Sequence, residues 1–160
     1  MKTLRLPRFI TPVQSDNHLR AARQLLVEYA DFLGVDRCFQ SFQQELDGLP
    51  GDYAPPHGQL LLAIDCDRAV GCVAIRNLGD GICEMKRLYV QPGHRGKGMG
   101  RTLAEAVIQE ARSIGYEKMR LDSLTSLKEA VGLYRTLGFI EIPSYRYNPL
   151  PDPVFMELVL

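Results

Sequence analysis

Residues 91–101 read Gln-Pro-Gly-His-Arg-Gly-Lys-Gly-Met-Gly-Arg. Four glycines are interleaved there with the cations Arg95, Lys97 and Arg101. Glycine adopts backbone conformations closed to other residues and lets a ligand come close to the main chain. An apolar stripe at helical spacing follows at once: Leu103, Ala106, Val107, Ala111 and Ile114. The run therefore opens a helix, whose first amides have no intrahelical acceptor and carry partial positive charge. Glycines, cations and orphan amides together suit a diphosphate. Two phosphate loops are excluded. Gly93 and Gly98 have Walker A spacing, but Met99 stands where lysine is required. The dinucleotide fingerprint GxGxxG also fails, because Gly96-x-Gly98 leads to Arg101 and Gly98-x-Gly100 leads to Leu103.

The elements that position this loop follow from periodicity and punctuation. Residues 4–10 read as a first strand. Ser15 or Asp16 caps a helix with its stripe at Leu19, Ala22, Leu26, Tyr29, Ala30 and Leu33, and residues 39–46 form a shorter helix. Residues 48–58, with Pro50, Gly51, Pro55, Pro56 and Gly58, form a loop whose shape the prolines restrict. Strands at 60–65, 69–77 and 82–90 are joined by Asp67-Arg68 and Gly79-Asp80-Gly81, turn chemistry that makes antiparallel hairpins. A helix over 98–114, a strand over 118–123, a helix over 127–137 and strands over 139–142 and 154–160 complete the chain. Gly34, Gly48, Gly115 and Gly138 each stand just past a helix, where a left-handed residue ends one. Strand, loop, helix and strand over 82–123 require a parallel pair. The result is a mixed α/β sheet with helices on its faces.

Arg95-x-x-Gly98-x-Gly100 after the strand at 84–90, followed by Leu133-Tyr134-x-x-x-Gly138-Phe139, resembles the GNAT superfamily of acyl-CoA-dependent N-acetyltransferases. The first segment is similar to that family's pyrophosphate loop, (Q/R)xxGx(G/A). The resemblance implies a mostly antiparallel sheet with one parallel, splayed pair and about four helices. It implies acetyl-CoA as acyl donor and no metal. The diphosphate would rest on the amides of Arg95, Gly96, Lys97, Gly98, Met99, Gly100 and Arg101. The pantetheine arm would run beside Leu88, Tyr89 and Val90 like an added strand. The thioester would enter the gap beside Leu88 and Tyr89, where a backbone N–H can polarise its carbonyl. An amine with pKa about 10.4 needs a base to attack at neutral pH, and a thiolate with conjugate pKa about 8.5 leaves better with an acid. The resemblance gives the acid's part to Tyr134 and the part of a base acting through water to Glu84. Many family members carry asparagine where this chain has Leu127, a place that Ser123, Thr125 or Ser126 could fill.

Composition bounds the rest. The chain has 160 residues, of which 24% are charged and 46% hydrophobic, the size and make-up of one globular domain spanning 1–160. Its 19 basic and 19 acidic residues cancel, which argues against a general nucleic-acid binder. The charge is unevenly placed. Glu28, Asp31, Asp36, Glu45, Asp47 and Asp52 face only Arg37 in the early chain, whereas Lys86, Arg87, Arg95, Lys97 and Arg101 form a stretch without acids. Cys38, Cys66, Cys72 and Cys83 make no CxxC pair, His18, His57 and His94 are scattered, and no signal peptide opens the chain. Free thiols in a cytoplasmic protein are the expectation. The acceptor amine, of a small molecule or peptide, would meet the early acids, residues 52–57 with His57, and Tyr145 to Pro149. Acids there favour a polyamine, a lysine or an aminoglycoside; Tyr145 and Tyr147 could instead cover an aromatic or amino-acid acceptor. Two other readings remain open: an acyl-CoA sensor of the same fold, and a toxin-like enzyme acetylating charged tRNA. A homodimer is compatible with a pairing edge at the last strand.

Overall fold

The computed structural model describes Pro7, residues 9–34 and residues 40–160. Ser15 accepts the His18 amide through its hydroxyl, and α1 (Asp16–Leu33) starts there. Its buried face is Ala22, Leu25, Leu26 and Ala30, and Gly34 ends it at φ 72°. The helix α2 (Gln40–Asp47) follows where the sequence predicts one over 39–46, and it ends one residue later; Phe39 lies outside the described residues. Gly48 departs from expectation. It is not left-handed: its amide still bonds the Gln44 carbonyl at 3.0 Å, so the chain winds one step further. A Cβ there would come within 3.1 Å of that carbonyl, so closeness explains the glycine. Gly115 and Gly138 are left-handed, as expected.

The strands are β1 (Ile10–Pro12), β2 (Gln59–Asp65), β3 (Arg68–Gly79), β4 (Ile82–Val90), β5 (Lys118–Leu124), β6 (Ile140–Ile142) and β7 (Pro153–Val159). They form one sheet in the order β1-β2-β3-β4-β5-β7-β6. The expected strand at 4–10 overlaps β1 only at Ile10, and residues 1–6 and 8 lie outside the described set. Pro12 is tolerated because β1 is an edge. Among the described residues only β4 and β5 pair in parallel, joined through α3 (Met99–Ile114); α4 (Lys128–Thr136) follows β5.

Side chains alternate across the sheet. Val73 and Ile75 of β3 join the core beneath α3 and α4, with Leu103, Val107, Ala111 and Tyr134. Cys72 and Ala74 join the opposite core, with Leu25, Leu26, Phe42 and Tyr53 from the α1–α2 side. Two local features open the centre. Parallel pairing of β4 with β5 stops after Glu84↔Arg120. Just beyond, β4 bulges against β3: the register shifts between Cys72 and Ala74, and Arg87 takes φ 60°. The bulge turns β4 away from β5, so residues 85–90 present an edge to a gap. Among the described residues, no helix is long and apolar enough to cross a membrane.

Candidate active site

A cavity of about 1370 Å³ runs through this gap. At one end the chain after β4 turns through a short 3-10 segment, Pro92–His94, into the glycine loop. Gly96 and Gly98 have φ 78° and 79°, and a Cβ on either would meet no atom within 4 Å. Their need for glycine is therefore conformational, and the space above them is open. Gly98 caps α3, and the Thr102 amide is the first to bond back, to the Gly98 carbonyl at 3.0 Å. The amides of Met99, Gly100 and Arg101 are those a helix leaves without acceptors. Arg95, Gly96, Gly98, Met99, Gly100 and Arg101 line the cavity; Lys97 is exposed on the same loop. Arg95 donates from Nε to the Val90 carbonyl at 2.8 Å, and its guanidinium lies over the rings of Phe32 and Tyr89 at 4.6 and 5.5 Å. Arg101 is held by Glu105 at 2.9 Å and the Thr136 hydroxyl at 3.0 Å.

Leu88, Tyr89 and Val90 form the β4 side of the gap, and Leu121 to Leu124 of β5 form the other. Tyr134 reaches the cavity from α4, its ring edge-on to Phe139 with centroids 5.8 Å apart. Burial, then Tyr29 and Asp122, push its phenol well above the usual range, so it stays protonated. Leu127 is the N-cap of α4 and offers no capping side chain. Ser123 and Ser126 line the cavity beside it, and Thr125 does not.

Glu84 occupies a different place from these residues. It is fully buried and is not part of the cavity wall. Arg76 donates to it from Nε at 2.9 Å and the Tyr145 hydroxyl at 2.5 Å; Arg146 Nε and Lys86 Nζ stand 3.5 and 3.8 Å away. Sheet register assembles this cluster. Arg76 pairs with Glu84, Glu84 with Arg120, and Arg120 with Glu157, a row of alternating charge across four strands. Two residues on, Lys86 and Asp122 share the same face, with Asp122 accepting from Arg146 at 2.7 Å and Asn148 at 3.0 Å. Burial would raise the Asp122 pKa, but the Arg146 hydrogen bond, with Lys86, Arg146 and Asn148, outweighs it and holds the carboxyl below its usual range. Burial lowers the Lys86 ammonium to about 8, against the opposing pull of Glu84. Arg76, Lys86, Asp122, Arg146 and Asn148 all line the cavity. The sequence did carry a signal for part of this wall. Glu84 and Lys86, and Arg120 and Asp122, are charged residues two apart in strands, which places each pair on one face.

The acids of the early chain are engaged to different degrees, and Asp52 lines the cavity with its side chain 82% exposed. Glu28 accepts Gln91, Asp47 accepts Gln43, and Glu45 is gripped by Arg87 through two 3.0 Å bonds while also accepting the Tyr53 hydroxyl. Asp36 lies outside the described residues. His57 is off the cavity wall, its carbonyl accepting the Tyr116 hydroxyl; His18 accepts the Gln14 amide; His94 stands 3.3 Å from Asp65. Tyr147 is exposed. Cys72 and Cys83 are buried, and burial lifts both thiols to about 12, which makes poor nucleophiles.

The acetyltransferase (GNAT) family model matches residues 20–139. The chain belongs to that family and is an acyltransferase of its kind. It is 41% identical over 151 residues to an uncharacterized N-acetyltransferase of Schizosaccharomyces pombe, covering 93% of both chains. A Streptococcus agalactiae acetyltransferase structure superposes with TM-score 0.80 at 21% identity, over 94% of this chain and 97% of that one. An acetyltransferase from Salmonella typhimurium, solved with its cofactor acetyl-CoA, superposes with TM-score 0.65 at 22% identity, over 95% and 94%.

Proposed function

We propose that the protein transfers an acetyl group from acetyl-CoA to a primary amine, by direct attack while both substrates are bound. The observation that carries this reading is the single cavity that joins the open glycine loop, the unpaired edge of β4 and the charged wall. The diphosphate rests on the loop from Arg95 to Arg101 and the pantetheine follows Leu88 to Val90. A β4 amide there polarises the thioester carbonyl. The amine nitrogen attacks the carbonyl carbon, the carbon–sulfur bond breaks, and sulfur takes the electron pair. Tyr134 donates its proton to sulfur, while the proton lost by the amine passes to water in the cavity. Glu84 stands behind the wall with its oxygens already engaged. We therefore assign it the positioning of Arg76, Lys86 and Arg146 rather than proton transfer.

The test is thiol release from acetyl-CoA across a panel of amino acids, polyamines, aminoglycosides and lysine peptides, with calorimetric binding of acetyl-CoA alongside. Release with one class supports the reading. Binding without release for any amine identifies an acyl-CoA sensor instead, and absence of binding overturns the donor assignment.

A further inference from the structure

The charged wall holds more cation than acid. Arg76, Lys86 and Arg146 line the cavity and converge on one carboxylate, Glu84, buried behind them. The other acid on this wall with little exposure is Asp122, 2.7 Å from Arg146 and 3.9 Å from Lys86. Three cations thus share two acids. Asp52 approaches Arg76 only to 3.9 Å and is 82% exposed, so water screens it. Glu45 is taken by Arg87, and Glu157 by Arg120 and Lys118. Tyr145 brings Glu84 a hydrogen bond and no charge.

Donors are left over as well. Arg146 Nε is buried without a hydrogen-bond partner. Arg76 bonds Glu84 through Nε alone, and among the described residues its two terminal nitrogens, the fork that grips a carboxylate, make no hydrogen bond. Partly buried cations that outnumber their counter-charges favour an anion in the space they line.

We propose that the acceptor is a small amine carrying its own carboxylate, an amino acid or related amino-carboxylate, and that Arg76, Lys86 and Arg146 hold that carboxylate while the amine faces the gap between β4 and β5. This rests on the acetyl-transfer reading and narrows it. A polyamine or aminoglycoside would bring further cation to a wall that already has a surplus, and a lysine side chain within a peptide has no neighbouring carboxylate to offer.

The experiment compares matched pairs, an amino acid and its carboxamide, as acceptors for the wild-type protein at saturating acetyl-CoA. The carboxylate member should have the higher kcat/KM by roughly 10- to 100-fold, the range expected for hydrogen bonds to a charged group. The carboxamide has the less basic amine and more of it neutral, so chemistry alone predicts the opposite order. In Arg76→Gln and Arg146→Gln, KM should rise for the amino acid but not for the carboxamide, with acetyl-CoA affinity unchanged; lysine at either position should recover part of the loss. The wild-type comparison stands even if a variant fails to fold. Equal use of both members, or preference for a polyamine, with thiol release intact would overturn the carboxylate proposal and leave acetyl transfer standing. Bound acetyl-CoA with no release from any amine would overturn the acetyl-transfer reading, and this proposal with it.

Discussion

Tyr134 and Glu84 share a sequence-level promise and have different surroundings. The Tyr134 ring packs on Phe139 while the residue still lines the cavity, so phenylalanine keeps the packing and removes only the hydroxyl. Tyr134→Phe should lower kcat by roughly 10²-fold, the lower end of what a general acid contributes, and leave acetyl-CoA affinity unchanged by calorimetry. Glu84 is enclosed by Arg76, Tyr145, Lys86 and Arg146. In the same assays Glu84→Gln should raise acceptor KM more than it lowers kcat, with the acid limb of the pH–rate profile in place. A Glu84→Gln profile that lost its acid limb would return the base's role to this residue.

At the scale of elements, the proposed donor site is divided between the glycine loop and the bulged strand. Gly98 stands at φ 79° with open space above it, and Gly100 has negative φ with Val90 Cγ2 at an ordinary 3.8 Å from a Cβ. The two glycines therefore fail differently. Gly98→Val places a branched side chain in a left-handed conformation, costing about 1–2 kcal/mol, and projects it into the space assigned to the diphosphate. Gly100→Ala does neither. Acetyl-CoA titrations should show affinity lost in Gly98→Val with a modest fall in Tm, and both quantities retained in Gly100→Ala. Equal affinity in the two variants would remove the diphosphate from this loop.

For the whole molecule, the charged wall couples folding to pH. Lys86 titrates at about 8 in the folded protein and at its ordinary 10.5 when unfolded, because burial disfavours the ammonium. Between those values the unfolded chain binds more protons. Lys86 therefore opposes folding below pH 8 and ceases to do so as pH rises through the window. Urea unfolding at pH 7.5 and 9.5 should show this rise in wild type, relative to Lys86→Met. The measurement belongs below pH 10, since buried Tyr53 and Tyr134 and half-buried Tyr145 have phenols raised above 10 and remove stability beyond it.

How much of this was legible beforehand depends on sequence distance. The glycine loop, the caps at Ser15 and Gly115 and the hairpins rest on contacts between near neighbours, and the strand–loop–helix–strand order by itself requires β4 and β5 to be parallel, so residue type and spacing were enough to place them. Gly48 was misread because a close approach to the Gln44 carbonyl and a left-handed turn both select glycine. The side of the cavity proposed for the donor belongs to this local class. The acceptor side does not. Its wall is made where β3, β4 and β5 come into register and where Tyr145, Arg146 and Asn148 fold back onto them. The acids of the early chain carry the charge that suggests a polyamine pocket, yet the charge of Glu45 is paired with Arg87, a partner far along the chain, while Glu28 accepts only the neutral Gln91 amide. Charge in a sequence is a sum over residues; the charge a ligand meets is what remains after distant partners have paired, and that remainder is set by strand register and the bulge at Arg87.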